Sequence, residues 1–242
     1  TSTAPSFAYA SLPSPSPAGQ IARVTDNARG LWMSDGTTWN KVTNTIDLWD
    51  WAEPSDSVDQ TSEIQDWIDA VHTYRLPGFG SGTYLTSGGL VTTSGQTDMR
   101  IYGPQGGWGA PLTFLNRTDS ITLRMDGGNS SIEHVMFDGR SALGDNAGGI
   151  GLVLGPNHKI TARNIVCRNF REAGFVADGT QNSLFENIDL FFNKINMWIT
   201  NECRTCLLLN PNATDSDLSI NTYMDGIDPR GEELWGGRRT NT

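Results

Sequence analysis

A short repeat constrains this chain more than any other feature. Asn187 follows Asn164 at an interval of 23, and their surroundings match: Arg163-Asn164-Ile165-Val166-Cys167 against Glu186-Asn187-Ile188-Asp189-Leu190. Each copy runs charged, Asn, apolar, variable, apolar. A second register runs alongside, in which Leu152, Phe175 and Met197 recur at intervals of 23 and 22. Two short strands in such a period are too little for a propeller blade or a helical repeat. They suit one coil of a parallel β-helix. Ile188 and Leu190 alternate, so one strand face turns inward. One coil cannot bury that face, but a stack of coils can. Phe137, Cys167 and Leu190 hold matched inward positions. The Asn before each apolar pair suits a tight bend, where its amide can bond the Asn of the next coil. Asn164 and Asn187 begin such a ladder, with His134 one coil earlier. Glu133, Arg163 and Glu186 precede them with alternating charge, a mildly favourable pattern between neighbouring strands.

Two intervals break the period. Val135 to Ile165 is an interval of 30, and Leu123 to Leu152 is one of 29. They overlap only between Val135 and Leu152, so one insertion within residues 137–149 accounts for both. Insertions in solenoids form loops on one face, often the binding face. Asp98 to Gly103 and Ser120 to Asp126 read as earlier coils. Between them Trp108 stands among glycines, placed either to stack on a ligand ring or to plug a coil. After Asn210 the repeat decays, and Leu218 with Ile220 is its last clear alternation.

The flanks differ. Residues 1–20 are rich in Ser, Pro and Ala and read as an extended arm, either a disordered tail or a segment that docks on a partner. Residues 21–45 read as a three-strand meander with Asp35-Gly36 as its best turn. That is too small to fold alone in water, so it must pack on the solenoid, on copies of itself or on a partner. Residues 46–95 hold a linker, one helix and the approach to the solenoid, which occupies 96–242. The helix is expected from Asp56 to Val71, with Ile64, Trp67, Ile68 and Val71 on one apolar face. Asp59 or Ser62 can cap it, the latter in a capping box with Gln65.

A net charge of −10 argues against nucleic acid as a partner. No apolar run approaches 18 residues, so no membrane insertion is expected. The chain begins without Met or a signal peptide, which reads as processing or trimming before Thr1. Cys167 reads as a buried small hydrophobe. Cys203 and Cys206 form a lone C-x-x-C without the second ligand pair that zinc needs, so neither a metal nor a cofactor is expected. The odd cysteine count points to synthesis in a reducing compartment.

Two stretches resemble a known family. Ala18-Gly19-Gln20-Ile21-Ala22-Arg23-Val24-Thr25-Asp26, with Arg29-Gly30-Leu31-Trp32-Met33 and Gly36-Thr37-Thr38-Trp39, resembles the small β module near the N-terminus of tailed-phage tail fibres and tailspikes. The helix followed by Leu76-Pro77-Gly78 and Gly82-Thr83-Tyr84-Leu85 resembles the opening of pectate-lyase-like β-helices, tailspikes included. There the helix covers the open end of the first coil. The resemblance implies a mostly β protein, a right-handed parallel β-helix with one capping helix and a small N-terminal β-meander. It also implies a homotrimer in the virion tail, made in the host cytoplasm and docked through its N-terminal arm to tail or baseplate proteins. Its expected role is attachment to a host surface glycan, with Trp108, Arg140 and Asp145 as candidate contacts. Two alternatives stay open: a polysaccharide-degrading enzyme and a purely structural virion component.

The enzyme reading needs two carboxylates, about 5 Å apart for retention or roughly 6.5–9.5 Å for inversion. Coils about 4.8 Å apart can supply that spacing from outward acids. Asp138, Glu186 and Asp189 are the candidates. Polygalacturonase-like hydrolases carry N-x-D, a paired Asp and G-H-G, of which only Asn187-Ile188-Asp189 is present. No acid cluster suited to a pectate-lyase calcium site stands out either.

Overall fold

The computed structural model describes residues 5–25, 30–42, 45–105, 112–140, 147–156, 158–201, 203–214 and 218–222. The chain is mostly β, with a curled stack of parallel strands and one α-helix. Successive strands of the stack pair with the strand one coil later in sequence, and every such pairing is parallel. This is a β-helix-like arrangement. From the second coil on, each coil contributes to three ladders, one more than the repeat suggests.

The first ladder joins Ile46–Asp47, Gly78–Phe79, Arg100–Tyr102, Ser131–Glu133, the starts of Thr161–Arg168 and Leu184–Phe191, and Leu207–Leu209. The second joins Ser55–Asp59, Gly82–Thr86, Leu112–Asn116, Val135–Asp138, the ends of the same two long strands, and Asn212–Thr214. The third joins Leu90–Thr92, Ile121–Met125, Gly148–Leu154, Phe170–Asp178, Ile195–Thr200 and Leu218–Thr222.

The extra ladder arises at the Asn bend. His134, Asn164, Asn187 and Asn210 have φ of 58°, 52°, 53° and 49°. A left-handed residue turns the strand and splits one apparent run into two ladders. Asn tolerates that region better than most residues because its short polar side chain bonds locally. A second left-handed column, Asp98, Asn129, Lys159, Asn182 and Thr205, turns each coil into its first ladder at the same position of the register. Three of the five are Asn or Asp, which tolerate that region, but Lys159 and Thr205 interrupt the pattern in the sequence.

The inward register agrees with the repeat. Phe137 pairs with Cys167 and Cys167 with Leu190, and all three are buried. Leu123, Leu152, Phe175 and Met197 line the third ladder in register and are fully buried. Ring contacts knit neighbouring elements: Phe114 with Phe137 at 5.8 Å and Phe175 with Phe185 at 5.3 Å. Burial pushes the Cys167 thiol well above its ordinary range, as expected of a core hydrophobe.

The loop in residues 137–149 leaves between Val135–Asp138 and Gly148–Leu154. Its ends are pinched, since the amides of Ala147 and Gly148 both reach the Gly139 carbonyl at 2.8 Å. A Cβ on Gly148 would lie 2.8 Å from the Gly139 Cα and equally close to the Phe170 ring, so glycine is required there. A second long interval, Ile101 to Ile132, contains Gly103 at the bend.

The helix spans Thr61–Tyr74 and not Asp56 to Val71. Ser55–Asp59 is a strand against Gly82–Thr86, which takes the residues the helix was expected to use. Asp59 still serves the helix start, accepting from the Thr61 amide at 3.0 Å and the Thr61 hydroxyl at 2.6 Å. The capping box is replaced, because Gln65 instead bonds the backbone of Val91 through both ends of its side-chain amide. Ile64, Trp67, Ile68 and Val71 are buried in the same core cluster as the first coils.

The meander holds Ile21–Val24, Gly30–Ser34 and Trp39–Lys41 as an antiparallel sheet. Ser6–Phe7 from the arm adds a fourth, parallel strand, and the Trp39 indole donates to the Pro13 carbonyl at 2.9 Å. Trp32 is buried and meets Tyr74 edge-on at 6.2 Å, so the meander rests on the C-terminal end of the helix.

Candidate functional site

Of the expected acids, Asp138 stands apart from Glu186 and Asp189 by two coils. Asp138 is only 2% exposed. Its carboxylate takes Arg168 at 2.7 and 2.9 Å, the Asn169 amide at 2.8 Å and the Arg140 backbone amide at 3.0 Å. Those partners leave it little capacity for a substrate. Arg140 itself is exposed at the mouth of the loop, with its guanidinium 3.6 Å from Asp138. Glu186 is bound to Arg163 of the preceding coil at 2.9 Å, the charge match expected from the repeat. Asp189 lies on the outer side of the second ladder, in register with Val166 and Met136.

Asp138 and Asp189 therefore sit two coils apart and two residues apart along the strand. That separation is about 10 Å along the stack before the strand offset is added, beyond the window for glycoside hydrolysis. Among the described residues, Asp35 and Asp59 have carboxyls held below the usual range by the hydrogen bonds they accept. Trp108 and Asp145 lie outside the described residues. Among the described residues no group of three or more His, Cys, Asp or Glu could hold a metal ion.

A different surface emerges on the outer side of the first ladder. Asp47, Phe79, Tyr102 and Glu133 follow one another in register on successive coils. The Phe79 and Tyr102 rings touch at 5.3 Å and are both partly exposed. Trp49, two residues beyond Asp47, is 55% exposed, and its indole donates to the Ser81 carbonyl at 3.2 Å. Asp47 accepts from the Trp49 backbone amide at 3.0 Å and fixes the short turn that presents the ring.

The result is a track of aromatic faces with carboxylates at each end. Trp49 also walls a cleft of about 400 Å³ between the first coil and the meander, lined by Asp50, Glu53, Thr25 and Ser6. Ring faces held at fixed positions suit the apolar faces of sugar rings, while neighbouring oxygens suit their hydroxyls. The sequence hid this track because its members are unevenly spaced, at an interval of 30 from Trp49 to Phe79 and of 23 from Phe79 to Tyr102. The helix intervenes in the first interval and breaks the period.

No protein-family model matches the sequence, and no curated protein sequence does. Among solved structures the chain is similar to the Dettilon tailspike protein, with a TM-score of 0.51 and 9% identity over 76% of this chain and 47% of that one. It is also similar to PfbA, a surface adhesin of Streptococcus pneumoniae, with a TM-score of 0.42 and 15% identity over 65% of this chain and 49% of that one. The chain spans about half the length of each. The likeness to the tailspike is one of fold. No helix among the described residues is long and apolar enough to cross a membrane.

Proposed function

We propose that this chain belongs to a tailed-phage tail fibre or tailspike and binds a polysaccharide on the bacterial surface. In this reading the coil stack is a right-handed parallel β-helix, since parallel crossovers within one sheet are right-handed in nearly all proteins. The arm and meander, residues 1–45, join it to the tail. The fold likeness to a tailspike supports the setting. The observation that carries glycan recognition is the aromatic track of Trp49, Phe79 and Tyr102. Asp138 acts as a structural anchor and Glu186 as an inter-coil tie, so these two acids serve the scaffold.

The test is binding of the purified chain to an array of bacterial capsular and lipopolysaccharide glycans. A specific hit that is lost in Trp49→Ala and weakened in Tyr102→Ala is expected. Binding undiminished in both variants, or no binding to any surface glycan, overturns the reading. Shortened glycan chains after incubation would make the protein a depolymerase instead. A homotrimer is part of the same proposal. Ile21 and Met33 face each other across the meander and are 46% and 45% exposed, apolar surface suited to cover by a second copy. Light scattering is expected to give the mass of three chains, and a stable monomer at micromolar concentration defeats it.

A further inference from the structure

We propose that Cys203 and Cys206 are an oxidisable pair that closes into a disulfide on exposure to a small-molecule disulfide, stapling the turn into the strand Leu207–Leu209. This inference does not depend on the glycan reading. The pair sits between Ile195–Thr200 and Leu207–Leu209. Cys203 follows Thr180, and Cys206 follows Ser183, by one step of the repeat, an interval of 23 in each case. The cysteines thus take the positions that two buried hydroxyls fill one coil earlier.

Both sulfurs converge on one atom. The Thr180 hydroxyl oxygen lies 3.5 Å from the Cys203 Sγ and 3.6 Å from the Cys206 Sγ. The backbone between them is shaped for this. Arg204 donates its amide to the Thr180 carbonyl at 3.0 Å, and Thr205 takes a left-handed φ of 53°. Two sulfurs that touch one oxygen at 3.5 and 3.6 Å lie no more than 7.1 Å apart, on side chains joined by a single turn. Each thiol also meets backbone carbonyls: Cys203 at Ala177 and Thr200, 3.3 and 3.2 Å away, and Cys206 at Thr180, 3.3 Å away. Cys167 is remote from both in the register, buried between Phe137 and Leu190, and has no cysteine in its column.

The chemistry balances with oxidised glutathione as the co-reactant. Cys206, the less buried thiol, loses its proton to water and attacks one glutathione sulfur. One glutathione thiolate leaves, and a mixed disulfide forms. Cys203 then loses its proton and attacks the Cys206 sulfur, expelling the second glutathione. Two S–H bonds are lost, one S–S bond is gained, and one glutathione disulfide becomes two thiols. Burial raises the Cys206 thiol above its ordinary value, so little thiolate is present at neutral pH and the reaction quickens as pH rises.

The experiment uses the whole chain, reduced and then incubated with oxidised glutathione at neutral and mildly alkaline pH. Free thiols are blocked, and the denatured protein is digested with trypsin without reduction. Cleavage after Lys194 and Arg204 places Cys203 in residues 195–204 and Cys206 in residues 205–230. The two peptides are expected joined, faster at the higher pH, and separate after reduction, with free thiols falling from three to one. Cys203→Ser is expected to trap glutathione on Cys206, since the resolving thiol is gone. Two singly blocked peptides at both pH values, or a link to the Cys167 peptide, would overturn the proposal. So would a Cys203→Ser chain that takes up no glutathione.

Discussion

The side-chain amide of Asn187 donates to the side-chain oxygen of Asn164 at 2.9 Å, across one step of the stack. Asn210 continues the ladder above at 3.2 Å, and the His134 ring meets the Asn164 amide below at 3.4 Å. The same residues carry the left-handed bend, so one column fixes both the backbone turn and the spacing between coils. Asn187→Ala is expected to destabilise by about 1–3 kcal/mol, from the left-handed strain of a Cβ without a local partner and from two lost side-chain bonds. Asn187→Gly removes only the ladder bonds and relieves the strain. Denaturant unfolding is expected to rank wild type above Gly and Gly above Ala.

Trp67 closes the first coil. It is fully buried and donates its indole hydrogen to the Ile46 carbonyl at 2.9 Å. Trp67→Ala is expected to cost about 3–5 kcal/mol in equilibrium unfolding. The facing strand fits the ring closely, since a Cβ on Gly78 would stand 2.5 Å from Val71 and 2.7 Å from the Trp67 ring. Gly78→Ala is therefore expected to cost about 1–3 kcal/mol through overpacking.

Asp138 separates an anchor from a catalyst. Its side chain is 3% exposed and Arg168's is 25% exposed, so removing the carboxylate strands a largely buried guanidinium. Asp138→Ala is expected to destabilise by about 3–5 kcal/mol. Glycan binding by the folded fraction is expected to be unchanged. A variant of normal stability that had lost only a glycan-cleaving activity would restore Asp138 as a catalytic acid.

Asp59 links the helix start to pH. Partial burial acts to raise its carboxyl, but hydrogen bonds from Thr61 and Ser87 outweigh that and hold it below the usual range. Its folded value lies under its unfolded one, so its stabilisation is complete above the unfolded value and is lost as pH falls through the folded value. Asp59→Ala is expected to lower stability by about 1 kcal/mol at neutral pH, as loss of a helix-start acceptor does. The gap in thermal midpoint between wild type and variant is expected to hold down to about pH 5 and to shrink below about pH 4.

The coil stack was legible because its signal is redundant. Cys167 and Leu190 are matched by spacing, by alternation and by the Asn that precedes each pair. The helix face of Ile64, Trp67, Ile68 and Val71 was legible for the same reason. Its start was not, because Asp56 to Asp59 read equally well as a helix opening and as a strand, and the partner strand Gly82–Thr86 decided the matter. The aromatic track was illegible because its members come from coils of unequal length. The neutralisation of Asp138 was hidden for a related reason. Arg168 pairs with it across an interval of 30, which the inserted loop sets and the ordinary step of the repeat does not.

The pinch between Gly139 and Gly148 makes the loop a detachable cassette. The Gly148 amide closes onto the Gly139 carbonyl at 2.8 Å, and on either side Phe137 still meets Cys167 and Leu152 still meets Phe175. The register on both flanks is set by strands that the intervening residues do not belong to. Length and composition between the two glycines can then drift, or be exchanged by recombination, at little cost to folding. A scaffold so wired separates the rate at which its surface diversifies from the rate at which its interior must be conserved.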